Sequence, residues 1–107
     1  MPQAGDVVVV TFAGAVTTKR RPAIIVSSDV YHANRPDIIV AVVTTNVAAA
    51  ITPTDYVLQD WAAAGLKMPS AFRVYLMMTM RNDIRVIGHL SERDWKSVQQ
   101  CLARAIG

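Results

Sequence analysis

Basic side chains are the residues of this sequence whose type and placement favour chemistry. Eleven lysines and arginines outnumber eight acidic residues, which gives a net charge of +3 and a pI near 9.4. This excess favours a polyanionic or acidic partner. Lysine and arginine bind phosphate groups and supply affinity without reading a base sequence. We therefore interpret four of them as general phosphate contacts: Lys19, Arg20, Arg81 and Arg85.

The residue types that bind metals lack the spacing of a metal site. His32, His89 and Cys101 stand far apart in the sequence, so we expect no metal ion and no other cofactor. A single cysteine cannot form an internal disulfide, and no signal segment opens the chain, which favours the cytoplasm. The longest apolar runs, such as residues 7–10 and 38–43, are too short to cross a membrane.

Short strands and one helix must position these side chains. Apolar and β-branched runs bounded by turn residues predict six strands. They cover residues 6–12, 21–27, 37–44, 54–58, 70–77 and 84–90. Residues 28–36 are predicted to form a connector. Residues 59–64 are compatible with one helical turn that stops at Gly65.

The fifth predicted strand places a cation and an aromatic ring on one face. Because side chains alternate along a strand, Arg73, Tyr75 and Met77 should lie on the same side. The opposite side then carries Phe72, Val74 and Leu76.

A helix is predicted after the last strand. Ser91 and Asp94 resemble a capping box, and apolar residues recur at helical spacing from Trp95 onward. The pattern predicts a mainly β fold with a C-terminal helix, built as a strongly bent antiparallel sheet or half-open barrel. We expect one domain over residues 1–107. Physical reasoning alone leads to a small basic domain suited to nucleic acid.

Five segments in register resemble the MazF/PemK family of toxins. They are GDVVV at 5–9, KRRPAIIVS at 19–27, IVAVVTTN at 39–46, GLKMPS at 65–70 and IGHLS at 87–91. The resemblance implies an SH3-like half-open barrel of the PemK/CcdB type that forms a homodimer. It also implies a type II toxin-antitoxin toxin whose cognate antitoxin carries an acidic tail. The implied activity is metal-independent cleavage of single-stranded RNA to 2',3'-cyclic phosphate and 5'-hydroxyl ends.

The resemblance assigns catalytic roles to three residues. Arg21 matches the family arginine that precedes the proline and acts on the scissile phosphate. Thr44 matches the family's catalytic threonine, and Arg73 matches a second arginine of the PemK branch. A planar guanidinium with five donors suits a phosphoryl group whose charge is increasing. RNA contacts are implied at Gly14, Lys19, Arg20, Asn46, Tyr75, Thr79 and Arg81.

Departures from the family pattern leave two alternatives open. Ala15, Val16, Tyr75 and Met78 stand where the family carries polar residues, so a conventional general base is missing. One alternative is therefore a non-catalytic member that binds RNA or an antitoxin. The other is a CcdB-like gyrase poison that acts through its C-terminal helix, a branch this chain resembles less.

Overall fold

The sheet and helices are seen in a computed structural model that describes residues 2–13 and 18–107. The strands are β1 (Asp6–Ala13), β2 (Thr18–Ile25), β3 (Asp37–Thr44), β4 (Tyr56–Val57), β5 (Ala71–Met80) and β6 (Ile84–His89). The α-helices are α1 (Asp29–Asn34) and α2 (Glu92–Ile106), and two 3-10 turns cover Val47–Ala49 and Arg81–Asp83. No helix in these two described stretches is long and apolar enough to cross a membrane.

The strands form one antiparallel sheet in the order β4-β5-β3-β2-β1-β6. The sheet curls into a half-barrel, and α2 follows it, which confirms the predicted fold class. Alternation along the β-branched strands gives two buried apolar clusters. One contains Val7 and Ile24 together with Val98 of α2, and the other contains Val8 and Ile25. The sheet therefore buries apolar side chains on both of its faces.

Helix α2 is fixed to the segment that precedes β5 by a buried carboxylate. Asp94 is fully buried and accepts hydrogen bonds from the Tyr56 hydroxyl at 2.5 Å, Gln59 N at 3.1 Å and Asp60 N at 2.8 Å. The Ser91 hydroxyl accepts from Asp94 N, so Ser91 caps α2, but the other half of the predicted capping box is replaced because the Asp94 carboxylate binds the β4 segment instead. This network joins the start of α2 to the chain around β4.

A second carboxylate completes this junction. Asp60 accepts two hydrogen bonds from the Arg93 guanidinium, at 2.7 and 2.6 Å, and one from the Ser91 hydroxyl at 2.5 Å. The Arg93 hydrogen bonds are the main cause that lowers the pKa of Asp60 to about 2. A carboxylate held by a two-pronged arginine remains ionised well below neutral pH.

The predicted strands are present, with changes at their ends. β3 has the predicted bounds, but β2 begins at Thr18 because it pairs with β1 as far as Ala13. It ends at Ile25, since Val26 N and Ser27 N both donate to Ile39 O instead of continuing the ladder.

Three predictions outside these strands need correction. The predicted connector 28–36 contains α1, which begins where the Ser28 hydroxyl accepts from Tyr31 N. The segment 59–64 needs no such correction, because Ala64 N donates to Asp60 O in a single helical turn and Gly65, with φ of 89°, ends it as predicted. β4 is shortened to two residues, and β5 runs on to Met80 because its distal half pairs with β3.

Candidate nucleic-acid interface

An open groove of about 1060 Å³ lies where β2 begins, β3 ends and β5 bends. The turn before β4 forms one of its walls. Its lining residues are Lys19, Arg21, Val42, Val43, Thr44, Thr52, Thr54, Asp55, Arg73, Val74, Tyr75, Leu76 and Met77. The three residues predicted to be catalytic, Arg21, Thr44 and Arg73, are all among them.

A β-bulge brings part of β5 into this groove. Leu76 pairs with Ala41 of β3, whereas Phe72 pairs with Val43, so residues 73–75 lie opposite the single residue Val42. A bulge interrupts the hydrogen-bond ladder and re-aims side chains, and such irregularities are common beside functional sites. Here it places Arg73 and Tyr75 on the groove lining, with Tyr75 69% exposed.

Two cations of β2 give the groove an excess of positive charge. Lys19 and Arg21 are exposed and line the same wall, two residues apart on one side of the strand. Among the residues that the structure describes, neither has a carboxylate within ion-pair distance. Their donors are therefore available to an anionic ligand such as a phosphate group.

Thr44 supplies a hydroxyl at the end of β3. Its Oγ1 accepts a hydrogen bond from Asn46 N at 3.1 Å, which fixes the hydroxyl at the corner where the strand ends. Because the oxygen acts as an acceptor in this contact, its own hydrogen remains available to donate. Thr44 is half-buried and can present that donor to a ligand in the groove.

Arg73 is paired with a carboxylate that the sequence reasoning missed. Arg73 Nε lies 3.5 Å from Asp55 Oδ1, and Asp55 Oδ2 accepts from Thr52 N at 3.2 Å. The Asp55 side chain is 4% exposed and that of Arg73 48%. Burial acts to raise the pKa of Asp55, but hydrogen bonds from Thr52 and the charge of Arg73 outweigh it, so the pKa is lowered.

The pairing of β4 with β5 is what brings Asp55 to the groove. Tyr56 pairs with Phe72 across the β4–β5 ladder, so the preceding residue, Asp55, lies beside Arg73. No motif or spacing in the sequence shows this, because the two residues belong to segments that meet only in the folded chain.

Four other residues predicted to contact RNA are outside the groove lining. Arg20 lies on the opposite side of β2 from Arg21 because neighbouring side chains alternate. Asn46 is exposed just beyond Thr44, and Thr79 pairs with Ile38 in the distal half of β5. The fourth is Arg81. A further predicted contact, Gly14, lies outside the described residues.

Arg81 has a structural contact at a second hollow, of about 450 Å³. Its guanidinium donates to the carbonyl oxygens of His32 and Arg35, the latter at 2.8 Å. These carbonyls lie at the C-terminal end of α1, where backbone acceptors lack helical partners. Arg81 thus caps a helix, a role that its place in a turn sequence did not predict.

Other predicted features concern packing and metal binding. Trp61 and Trp95 pack against the cluster that contains Val98. Met77 is half-buried against the second cluster, whereas Met78 is 55% exposed. The described part of the chain contains no group of three or more His, Cys, Asp or Glu side chains placed to bind a metal ion.

Comparison with solved structures supports the half-barrel fold. An endoribonuclease in complex with its cognate antitoxin from a Mycobacterial species superposes with a TM-score of 0.80 and 17% identity, covering 100% of this chain and 96% of that chain. MazF in a MazE-MazF complex from Deinococcus radiodurans gives 0.78 and 19%, covering 99% and 96%. The Mycobacterium tuberculosis toxin MazF-mt6 gives 0.72 and 21%, covering 94% of each chain.

The family of this chain is shown by its match to a protein-family sequence pattern over nearly its whole length. No curated protein matches this sequence. The family described as PemK-like, MazF-like toxin of type II toxin-antitoxin system matches residues 3–106, which includes every element of the described fold. This chain therefore belongs to the PemK-like, MazF-like family of type II toxin-antitoxin toxins.

Proposed function

We propose that this toxin is an endoribonuclease that binds single-stranded RNA in the groove and cleaves it without a metal ion. The observation that carries the proposal is the meeting of Arg21, Thr44 and Arg73, from three different strands, on one open basic groove. Two guanidinium groups and a hydroxyl supply donors for a phosphate group from several directions. The similar structures named as endoribonucleases support the same activity.

The reaction uses a nucleophile that belongs to the substrate. The ribose 2'-hydroxyl loses its proton to water of the open groove as its oxygen attacks the adjacent phosphorus. The P–O5' bond breaks and the leaving O5' takes a proton from water, which gives a 2',3'-cyclic phosphate and a 5'-hydroxyl. Negative charge accumulates on the phosphoryl oxygens in between. Arg21 and Arg73 stabilise that charge while Thr44 donates a hydrogen bond to one oxygen. Catalysis then depends mainly on orientation and fixed donors.

Tyr75 and Lys19 bind the RNA on either side of the reacting phosphate. The Tyr75 side chain is 69% exposed on the bulge of β5, so its ring is free to stack on a base. Stacking of a base on an aromatic ring contributes about 1–3 kcal/mol and tolerates any base. Lys19 adds a contact to the RNA backbone that carries no sequence information.

Mapping the ends of cleaved RNA tests this function. The protein is incubated with a long single-stranded RNA in the presence of a chelator. Fragments with 5'-hydroxyl ends are expected, and one 2'-deoxy residue at the scissile position should prevent cutting there but not binding. Tight binding without fragments would favour the non-catalytic alternative. Gyrase-dependent DNA breaks would favour the CcdB-like alternative.

We also propose that the toxin forms a homodimer in the cytoplasm and binds an antitoxin with an acidic segment. β4 pairs with Ala71 and Phe72 alone, so the rest of β5 has a free edge in the described chain. Exposed apolar side chains lie along it, as at Met78 and Met80. An unpaired apolar edge favours association. Light scattering that shows only monomer at micromolar concentration would contradict the dimer.

The antitoxin proposal rests on charge and on the neighbouring structures. Lys19 and Arg21 lack carboxylate partners among the described residues, so an acidic segment has cations to bind. Similar toxins have been solved with an antitoxin bound. A bound antitoxin that leaves Arg21 and Arg73 exposed would contradict placement of the acidic segment in the groove.

A further inference from the structure

We propose that Asp55 is a positioning residue of this site, which holds the Arg73 guanidinium so that its outer nitrogens face the RNA phosphate. The inference rests on the proposed nuclease function. It adds a carboxylate to a site that otherwise consists of cations, a hydroxyl and an aromatic ring. Asp55 is the one carboxylate among the described residues that line the groove.

The geometry of the pair gives Asp55 this role. Asp55 Oδ1 faces Nε of Arg73, the nitrogen nearest the strand, at 3.5 Å. Contact through Nε leaves the two terminal nitrogens, with four N–H donors, directed away from the carboxylate. A phosphate requires such a two-pronged donor for bidentate binding. The carboxylate thus restricts the side chain without occupying the donors that the substrate needs.

Asp55 is itself held rigidly enough to act as a support. Its Oδ2 accepts from Thr52 N at 3.2 Å, and its side chain is 4% exposed. The next residue, Tyr56, is anchored to Asp94 of α2 through its hydroxyl. A partner fixed at both sides positions a flexible arginine better than solvent does, because the arginine loses fewer conformations on binding.

A direct acid–base role for Asp55 is less consistent with the same contacts. Both carboxylate oxygens face donors, Thr52 N and Arg73 Nε, and little of the side chain reaches solvent. These contacts lower the pKa of Asp55, and a carboxylate with a lowered pKa is a weak proton acceptor. Its negative charge also acts against the binding of an anionic substrate. Orientation of Arg73 therefore outweighs proton transfer as the use of this group.

A double-mutant cycle with separate binding and cleavage measurements tests the proposal. Asp55→Asn, Arg73→Gln and the double variant are compared with the wild type on one short RNA. Binding is measured with the same RNA carrying a 2'-deoxy residue at the cut site. Loss of orientation should lower kcat of Asp55→Asn by about 10-fold. Removal of a negative charge should leave Kd unchanged or make it lower, by up to about 3-fold.

The cycle separates positioning from simple structural loss. Arg73→Gln should lower kcat by about 100-fold, and the double variant should be no slower than Arg73→Gln within about 2-fold, because Asp55 acts only through Arg73. Losses in kcat that multiply in the double variant, or a Kd that rises together with the loss in kcat, would overturn the proposal. So would an unchanged kcat in Asp55→Asn.

Asp37→Asn is the matched control. It also removes a carboxylate from an arginine pair, in which Arg35 Nε lies 3.0 Å from Asp37 Oδ1, but that pair lies outside the groove. Asp37→Asn should lower the thermal midpoint and leave kcat within about 2-fold, which shows that loss of an ion pair by itself does not reduce cleavage. A wild-type protein that neither binds nor cuts RNA would refute the proposed function and this inference together. If the wild type cleaves RNA but the losses in kcat of the two single variants multiply in the double variant, this inference alone is refuted.

Discussion

Replacement of Arg21 by glutamine should abolish most cleavage while leaving the fold intact. Arg21 is exposed and has no carboxylate within ion-pair distance among the described residues, so its removal leaves no buried group without a partner. The free energy of unfolding should therefore change by no more than about 0.5 kcal/mol. Loss of one fixed donor to the developing phosphoryl charge should lower kcat by about 100-fold, equivalent to about 2.7 kcal/mol.

The salt dependence of RNA binding is a second quantity that the loss of Arg21 should change. Arg21 contributes one phosphate contact in the proposed complex, so its loss should reduce the slope of log K against log salt by about 0.7 for a single strand. Cleavage is measured with a short RNA that becomes fluorescent when cut, and stability by circular dichroism during heating. Arg21→Lys should recover only part of kcat, since a point charge lacks the two-pronged geometry.

Arg20→Gln provides the comparison within the same strand. It removes the same charge one residue away, but Arg20 lies on the other side of β2 and outside the groove lining. It should affect binding as a general phosphate contact at most, with kcat within about 3-fold. An Arg21→Gln protein that is folded and cuts at the wild-type rate would refute the reasoning. Equal losses of kcat in both variants would refute it as well.

Three further predictions concern Thr44, Asp94 and Asp60. Thr44→Val should lower kcat by about 10-fold with Thr44→Ser close to wild type, and equal rates for both would contradict a role for the hydroxyl. Asp94→Asn should cost about 3 kcal/mol in a urea titration, because the new amide faces the donor Asp60 N at 2.8 Å, and an unchanged midpoint would contradict this. The pKa of Asp60 is lowered from 3.8 to about 2, so its stabilising effect is complete above pH 3.8 and is lost as the pH falls through 2. Thermal midpoints measured from pH 5 to 2 should fall less in Asp60→Asn than in the wild type.

Local sequence patterns predicted the strands but not where they end. The continuous apolar run 38–43 identifies β3 to the residue, because this strand buries side chains on both faces. The bulge of β5 and the length of β2 are set by pairing with other strands, so no local pattern reveals them. Helix α1 was missed because a six-residue helix has few periodic positions.

The candidate site could be predicted where a residue matches the family pattern. Arg21, Thr44 and Arg73 match it, and all three line the groove. Arg81 was predicted to contact phosphate, but its Nη2 donates to carbonyls at the C-terminal end of α1, almost fifty positions earlier in the sequence. Asp55 carries no motif at all. The contacts of Arg81 and Asp55 both join segments that are distant in the sequence. The charge of a side chain does not show which partner it binds in the folded chain.

The hydrogen bond between Tyr56 and Asp94 has a consequence for protein engineering. Tyr56 follows Asp55 directly, and its hydroxyl is tied to the first turn of α2, 38 positions further along the chain. This contact couples the wall of the groove to the start of α2. A designed peptide that displaced the first turn of α2 should shift the wall without entering the groove. Such a ligand would act on the toxin from a helix that is outside the groove lining.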